Sequence, residues 1–248
     1  MAIRSWLWVA LLVVGILPIG LPTLGHPAGS VIILATDYPP FDIAEPEDDR
    51  LGFDHEVAVE AFKRKGITAE VVYVPWSRAV SETEAGNYPG LLTCAHTVER
   101  AEHFLFSAPI SQEAYGVFFR KGHPVENIRS IADLRGQRVA SVLEYAPNAE
   151  MERQGAELVN IATDTAGFKM LELGRVDYFH TGQAAGRYLK KKLGYRNEFG
   201  FRSFVVWDYF LCFSRKHPDS EELRQVFNEG LAEIRADRTY DSIHARYR

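Results

Sequence analysis

The chain has 248 residues, which favours one large domain or two lobes and excludes a peptide-sized scaffold. Hydrophobic residues make up 46% and charged residues 25%, a composition typical of soluble globular proteins that excludes extended disorder. The formal net charge is −5, and the sequence has neither a Lys/Arg stripe nor zinc-ligand spacing, so nucleic-acid binding has no electrostatic support. We therefore expect a small-molecule or protein partner.

The first 25 residues have the pattern of an export signal. Arg4 precedes an apolar run over residues 6–24 that ends among small residues. A retained membrane anchor is the alternative, because this 19-residue run is almost long enough to span a bilayer. Pro18 and Pro22 break the far end of the run and favour cleavage. We predict a signal peptide over residues 1–25 and an exported protein.

Strands and helices alternate along the rest of the chain. The first cycle has predicted strands and helices, in chain order, at 31–35 (strand), 54–65 (helix), 70–74 (strand), 78–85 (helix), 90–95 (strand) and 97–103 (helix). The second cycle has a helical turn at 130–136, then 137–143 (strand), 147–155 (helix), 158–162 (strand), 168–173 (helix), 176–179 (strand) and 183–193 (basic helix). A strand-rich stretch at 204–214 and helices at 220–236 and 240–247 follow. This alternation predicts a mainly parallel sheet covered by helices.

Two cysteines, Cys94 and Cys212, lie 118 residues apart. An exported chain permits a disulfide between them but does not require one. Both cysteines lie in apolar runs, so two buried thiols are an equally good interpretation. Their spacing fits neither a zinc site nor a redox pair.

Six short motifs resemble those of the family 3 extracellular solute-binding proteins, the amino-acid-type receptors of ABC importers. They are DYPPF at 37–41, GFDHEV at 52–57, VPWSR at 74–78, TVER at 97–100, FSAP at 106–109 and GRVD at 174–177. Their order and spacing match the family from about residue 30 to the end. The resemblance implies the type II periplasmic-binding-protein fold, with two α/β lobes, two hinge crossovers and a ligand cleft. Lobe 1 would comprise residues 30–118 and 207–248, and lobe 2 residues 119–206.

The same resemblance implies a carboxylate site. Arg100 matches the family position that binds the α-carboxylate of the ligand, and a guanidinium can hold a carboxylate through two parallel hydrogen bonds. The alternative is a surface arginine paired with Glu99 or Glu102. Main-chain N–H groups of Tyr145 and Ala146, where a helix is predicted to begin, would add a second anion contact from the other lobe.

Other predicted ligand contacts lie toward the carboxyl ends of strands and in the loops that follow them. Trp76 and Tyr38 match positions that form an aromatic wall, although Trp76 could instead cover the core of lobe 1. Thr93 is a candidate hydrogen-bonding partner, and Asp37 lies beside Tyr38. His180 is a further candidate near the cleft, with a structural histidine as the alternative.

Three positions depart from the family pattern. Ala95 lacks a hydroxyl that amino-acid receptors commonly carry, Gly182 lies where they place the Asp that pairs with the α-ammonium, and Glu144 replaces a usual Gly. A buried ammonium without a carboxylate is costly. Either Asp37 or Glu144 therefore substitutes, or the ligand lacks a normal α-amine.

These features predict a monomeric periplasmic protein that captures a small carboxylate-bearing solute, an amino acid or related compound, by hinge closure. It would serve an ABC permease or a membrane sensor and would need no catalytic residue, metal or cofactor. The alternative is a dehydratase-like enzyme on the same scaffold acting on a cyclic carboxylate, with Glu144 and His180 as acid/base candidates.

Overall fold

The computed structural model describes residues 29–46 and 48–247. The predicted signal peptide therefore lies outside the described residues. Within them, no helix combines the length and the apolar character that a membrane crossing requires.

The first half of the chain forms three parallel strands with helices between them. Its elements are β1 (Ser30–Ala35), α1 (Phe53–Arg64), β2 (Thr68–Tyr73), α2 (Trp76–Ala85), β3 (Gly90–Ala95), α3 (Val98–His103) and β4 (Phe104–Phe106). Strand β1 lies between β2 and β3 and is parallel to both. Every residue of β3 is buried, as expected for a continuous apolar run in a covered parallel sheet. Thr97 caps α3 by accepting a hydrogen bond from the N–H of Arg100, as its position before the helix predicts.

Two long antiparallel strands connect the halves. Strand β5 (Ser111–Arg120) pairs along its whole length with β9 (Phe199–Ser214). Toward its C-terminus β9 also pairs with β3, while from Tyr115 onward β5 pairs antiparallel with one strand of the second half, β8 (Tyr178–Gly182). The lobe boundaries predicted at 118/119 and 206/207 fall inside these two strands.

The second half repeats the parallel arrangement. Its elements are a short 3₁₀ turn (Ile131–Leu134), β6 (Arg138–Val142), α4 (Asn148–Arg153), β7 (Glu157–Ile161), α5 (Asp164–Glu172), β8 (Tyr178–Gly182) and α6 (Gln183–Lys192). The strand order across the sheet is β2-β1-β3-β9-β5-β8-β6-β7, and β4 pairs with β9. The sheet is therefore mixed rather than mainly parallel, because β5 and β9 run against their neighbours.

The chain closes on the first half. Helices α7 (Ser220–Ala236) and α8 (Thr239–Ala245) follow β9, and Phe227 of α7 packs against Phe62 of α1. Cys94 of β3 and Cys212 of β9 form a disulfide, which decides between the two alternatives that the sequence left open.

The sequence prediction missed β4 and β5 and began α5 four residues late. Strand β5 contains the charged Glu113 and the side-chain-free Gly116, which interrupt its apolar pattern. Gly116 is required there, because a Cβ atom would lie 1.9 Å from the carbonyl oxygen of Arg202 on β9. Helix α5 begins at Asp164, where the hydroxyl of Thr163 accepts the N–H of Ala166; its apolar spacing becomes clear only later.

Candidate functional site

A small cavity lies between the two halves of the protein. Its wall consists of Thr36, Tyr38, Trp76, Thr93, Ala95, Arg100, Tyr115, Tyr145, Ala146 and Tyr209. Seven of the ten predicted ligand residues are thus brought together there, and Asp37, His180 and Gly182 lie outside this wall. The cavity volume is about 20 Å³, room for about one water molecule. A larger ligand can enter only if the halves separate.

Arg100 spans the two halves through main-chain contacts. Its guanidinium donates to the carbonyl oxygen of Ala95 at 3.1 Å and to that of Glu144 at 2.9 Å. Glu99 pairs instead with Arg153 of α4. Among the described residues, no carboxylate forms an ion pair with Arg100, and loss of hydration lowers the pKa of its guanidinium. The guanidinium is therefore a part-buried cation whose direct hydrogen-bond partners are main-chain carbonyl groups, while the charges of Glu144 and Glu99 act on it only from a distance.

Glu144 holds the two halves together with its main chain rather than its side chain. Its carbonyl oxygen also accepts the indole N–H of Trp76 at 3.0 Å. Its φ of 64° lies in the left-handed region, a conformation that favours Gly, which is the residue that the resemblance led us to expect at this position. The carboxylate of Glu144 is exposed and lies outside the wall of the small cavity, so the structure does not bring it to the place where an ammonium partner was predicted.

Five of the ten residues in the cavity wall are aromatic. Trp76 is only 4% exposed, and the guanidinium of Arg100 lies 5.1 Å from its ring centre in a cation–π contact. Tyr145 approaches both Trp76 and Tyr38 edge-on, at 6.5 and 6.1 Å between ring centres. The main-chain N–H of Tyr145 donates to Val142 O, and α4 begins only at Asn148. Tyr145 thus contributes its ring to this wall, while its N–H is used within the turn.

Three buried tyrosine hydroxyls meet at one side of the cavity. The hydroxyl of Tyr209 lies 2.7 Å from that of Tyr115 and 3.1 Å from that of Tyr38. Burial is the main cause that raises the pKa of all three phenols. The three side chains are therefore neutral and present hydroxyl donors and acceptors to the cavity.

Thr93 is tied to a buried acidic group below the cavity. Its hydroxyl donates to Oδ2 of Asp54 at 2.7 Å, and Ser111 donates to the same oxygen at 2.8 Å. Burial raises the pKa of Asp54 to about 7 in spite of these hydrogen bonds. The Thr93 hydroxyl retains lone pairs that can accept a hydrogen bond from a ligand.

A carboxylate from another strand occupies the space beside Gly182. A Cβ atom at Gly182 would lie 2.6 Å from Oε2 of Glu113 and 2.4 Å from the hydroxyl of Tyr38. Glu113 is 4% exposed, and it accepts main-chain N–H groups of Ala184 and Ala185 at the start of α6. Burial raises the pKa of Glu113 to about 7. The side chain of Glu113 on β5 therefore occupies the space that a side chain at position 182 would need.

His180 lies behind the cavity wall. Its ring stacks on Tyr115 at 5.4 Å, and its Nδ1 lies 3.3 Å from the hydroxyl of Ser141. Burial lowers the pKa of His180 to about 3, so the ring is neutral near neutral pH. This placement matches the structural alternative stated for His180.

A second, larger cavity adjoins the first and contains Asp37. Its volume is about 340 Å³, and Thr36 and Tyr145 belong to the walls of both cavities. Asp164, the first residue of α5, lies in the wall of the second cavity. Asp37 and Asp164 thus face the same space from different halves of the protein.

Sequence reasoning missed Thr36, Tyr115, Tyr209, Glu113 and Asp164. Thr36 and Asp164 follow β1 and β7 closely, so a stricter search beyond the carboxyl ends of strands would have found them. The other three lie within β5 and β9, and only the pairing of those strands brings them to the cleft.

Comparison with known proteins identifies the relatives of this chain. The model of the bacterial extracellular solute-binding proteins, family 3, matches residues 31–248. A lysine/arginine/ornithine-binding periplasmic protein of Escherichia coli K12 is 26% identical over 223 residues, covering 86% of this chain and 84% of the relative.

Solved structures show the same fold. A histidine kinase sensor domain similar to periplasmic binding proteins has a TM-score of 0.80 at 23% identity, covering 88% of this chain and 95% of that one. An ancestral arginine-binding protein bound to arginine has a TM-score of 0.78 at 22% identity, covering 90% and 99% of the two chains. The fold is thus the predicted type II arrangement of two α/β lobes around a cleft. The matched family and relative are binding proteins, so the dehydratase interpretation is not supported.

Proposed function

Because the chain belongs to the family 3 bacterial extracellular solute-binding proteins, we propose that it captures a small amino-acid-like solute whose carboxylate binds Arg100 as the lobes close. The solute-binding role comes with the family. The carboxylate and the residues that hold it are the proposed part.

One observation carries this proposal. Arg100 is a part-buried guanidinium between the lobes, and among the described residues its hydrogen-bond acceptors are the carbonyl oxygens of Ala95 and Glu144, with no carboxylate in an ion pair. A desolvated cation without an anion is costly, whereas a carboxylate fits its planar fork of donors. The ring of Trp76 covers one face of the guanidinium and strengthens this preference by excluding water.

Closure follows from the contacts that cross the cleft. The side chains of Arg100 and Trp76 in one lobe both donate hydrogen bonds to the carbonyl oxygen of Glu144 in the other lobe. These hydrogen bonds cross the cleft at the place where a ligand would bind. A ligand that bridges the same groups has more contacts in the closed state than in the open state. This difference in affinity is what shifts the equilibrium toward closure.

The test compares Arg100→Ala with the wild-type protein by isothermal titration calorimetry against the standard amino acids and amine-free carboxylates. Removing one partner of a buried charge pair costs about 2 kcal/mol or more, so the best ligand should bind at least about 30-fold more weakly. Arg153→Ala is the matched control, because Arg153 also lies at the lobe interface but is exposed and paired with Glu150 and Glu99. Unchanged affinity in Arg100→Ala contradicts the proposal.

The wider assignment is also a proposal. We propose that residues 1–25 are removed on export to the periplasm, that residues 30–118 and 207–248 move as lobe 1 against 119–206, and that the monomer delivers its ligand to an ABC permease or a membrane sensor. The periplasmic relative supports the location. N-terminal sequencing of the exported protein tests the cleavage.

A further inference from the structure

We infer that the second cavity binds a cationic group at the far end of the ligand, with Asp164 as its main partner and Asp37 facing it across the cleft. This inference rests on the proposed function, because Arg100 is taken to hold the carboxylate of the same ligand. The chemical class of the cargo would then be an amino acid with a side-chain ammonium or guanidinium.

Asp164 carries the argument because it is a buried carboxylate without a cation. It is 6% exposed, and its Oδ2 accepts the hydroxyl of Tyr145 at 2.7 Å. Its Oδ1 is buried and has no hydrogen-bond partner among the described residues. Burial raises the pKa of Asp164 to about 6, although the nearby hydroxyls of Tyr145 and Thr181 lower it. A buried acid of this kind gains most from a cation.

The walls of the cavity add negative charge and supply no compensating cation. Asp37 lies in the loop after β1, and its Oδ1 accepts the N–H of Ala44 at 3.0 Å. Its charge raises the pKa of Asp164, so the two carboxylates interact through the cavity. None of the thirteen wall residues is Lys, Arg or His. Two acids from opposite halves thus face a space that a ligand cation would neutralise.

The position of Tyr145 decides which group of the ligand reaches this space. Its ring lines the Arg100 cavity, while its hydroxyl bonds to Asp164 in the second cavity. The α-carboxylate and α-ammonium of an amino acid are bonded to the same carbon atom, so an α-carboxylate held by Arg100 keeps the α-ammonium in the first cavity, away from the far end of the Tyr145 side chain where Asp164 lies. A cation at Asp164 must therefore belong to the side chain. The volume of about 340 Å³ leaves room for such a side chain beyond the crowded first cavity.

The test measures L-arginine against L-citrulline, its uncharged isostere, by calorimetry on the wild-type protein and on Asp164→Asn. We expect arginine to bind at least tenfold more tightly than citrulline, and Asp164→Asn to remove that preference while changing citrulline affinity less than threefold. Asp241→Asn is the control, because Asp241 also lies in the first turn of a helix but is not a wall residue of this cavity.

Three results separate the possibilities. Equal binding of arginine and citrulline to the wild-type protein overturns the inference without any variant, and leaves the carboxylate site of Arg100 standing. A preference that survives in folded Asp164→Asn also overturns it. If neither compound nor any other amino acid or amine-free carboxylate binds, the proposed function fails and the inference fails with it.

Discussion

Moving the carboxylate side chain from position 113 to position 182 tests whether Glu113 fills the space beside Gly182 and accepts the N–H groups at the start of α6. The change Gly182→Asp places a Cβ atom 2.4 to 2.6 Å from the Tyr38 hydroxyl and the Glu113 side chain, far inside normal contact distance. Overpacking of this kind costs about 1 to 3 kcal/mol, and a second buried carboxyl group beside Glu113 adds to it. We expect a loss of about 2 to 4 kcal/mol in the free energy of unfolding.

The second half of the exchange is Glu113→Ala. It leaves the N–H groups of Ala184 and Ala185 without their acceptor, at a cost of about 2 kcal/mol. In the double variant the two changes compensate. Position 182 is the N-cap of α6, so an Asp side chain there can accept the same N–H groups in the space that Glu113 vacates.

Urea unfolding of the four proteins measures the coupling. We expect the double variant to be more stable than the sum of the single changes predicts, by at least about 1.5 kcal/mol. Gly182→Asp combined with Glu172→Ala is the control, because Glu172 is an exposed residue of α5 that bonds to Tyr195 and should add independently. Additivity within about 0.5 kcal/mol for positions 113 and 182 would refute this account of the cleft.

Two further predictions concern stability. Replacing Cys94 and Cys212 together with Ala should lower the free energy of unfolding by about 3 to 5 kcal/mol, because the disulfide closes a loop of 118 residues; a loss below about 1 kcal/mol in urea unfolding contradicts this. His180 has its pKa lowered to about 3 in the folded state, so the unfolded state binds the extra proton as the pH falls below about 6.5 and stability is lost. Between pH 7 and pH 4, His180→Gln should therefore lose about 3 kcal/mol less than the wild-type protein, and equal losses would show that His180 does not titrate in this way.

The small cavity around Arg100 shows how far residue patterns alone lead. Trp76 and Arg100 follow the predicted strands at 70–74 and 90–95, Thr93 lies within the second of these strands, and the structure gathers all three around one cavity. Loops that follow parallel strands meet at one edge of a sheet, so a local pattern is enough to place such residues together. Their roles toward a ligand stay predictions until binding is measured.

The same patterns predicted a mainly parallel sheet, which is wrong, and they missed several residues of the cleft. Strand β5 carries Glu113 and Gly116 in its middle, and its pairing with β9 depends on contacts between segments that are far apart in sequence. The hydroxyl cluster of Tyr115 and Tyr209, and the placement of Glu113 beside Gly182, exist only because these two strands lie next to each other.

The sequence by itself determined the alternation of strands and helices, the family and most of the cleft wall, since hydrophobic periodicity and short motifs are local properties. The tertiary structure alone decided that Cys94 and Cys212 are bonded, that Glu144 contributes its main chain rather than its carboxylate, and that Asp164 lies buried opposite Asp37. These features depend on which side chains meet across the sheet and the cleft, and such distances are set by packing of the whole chain.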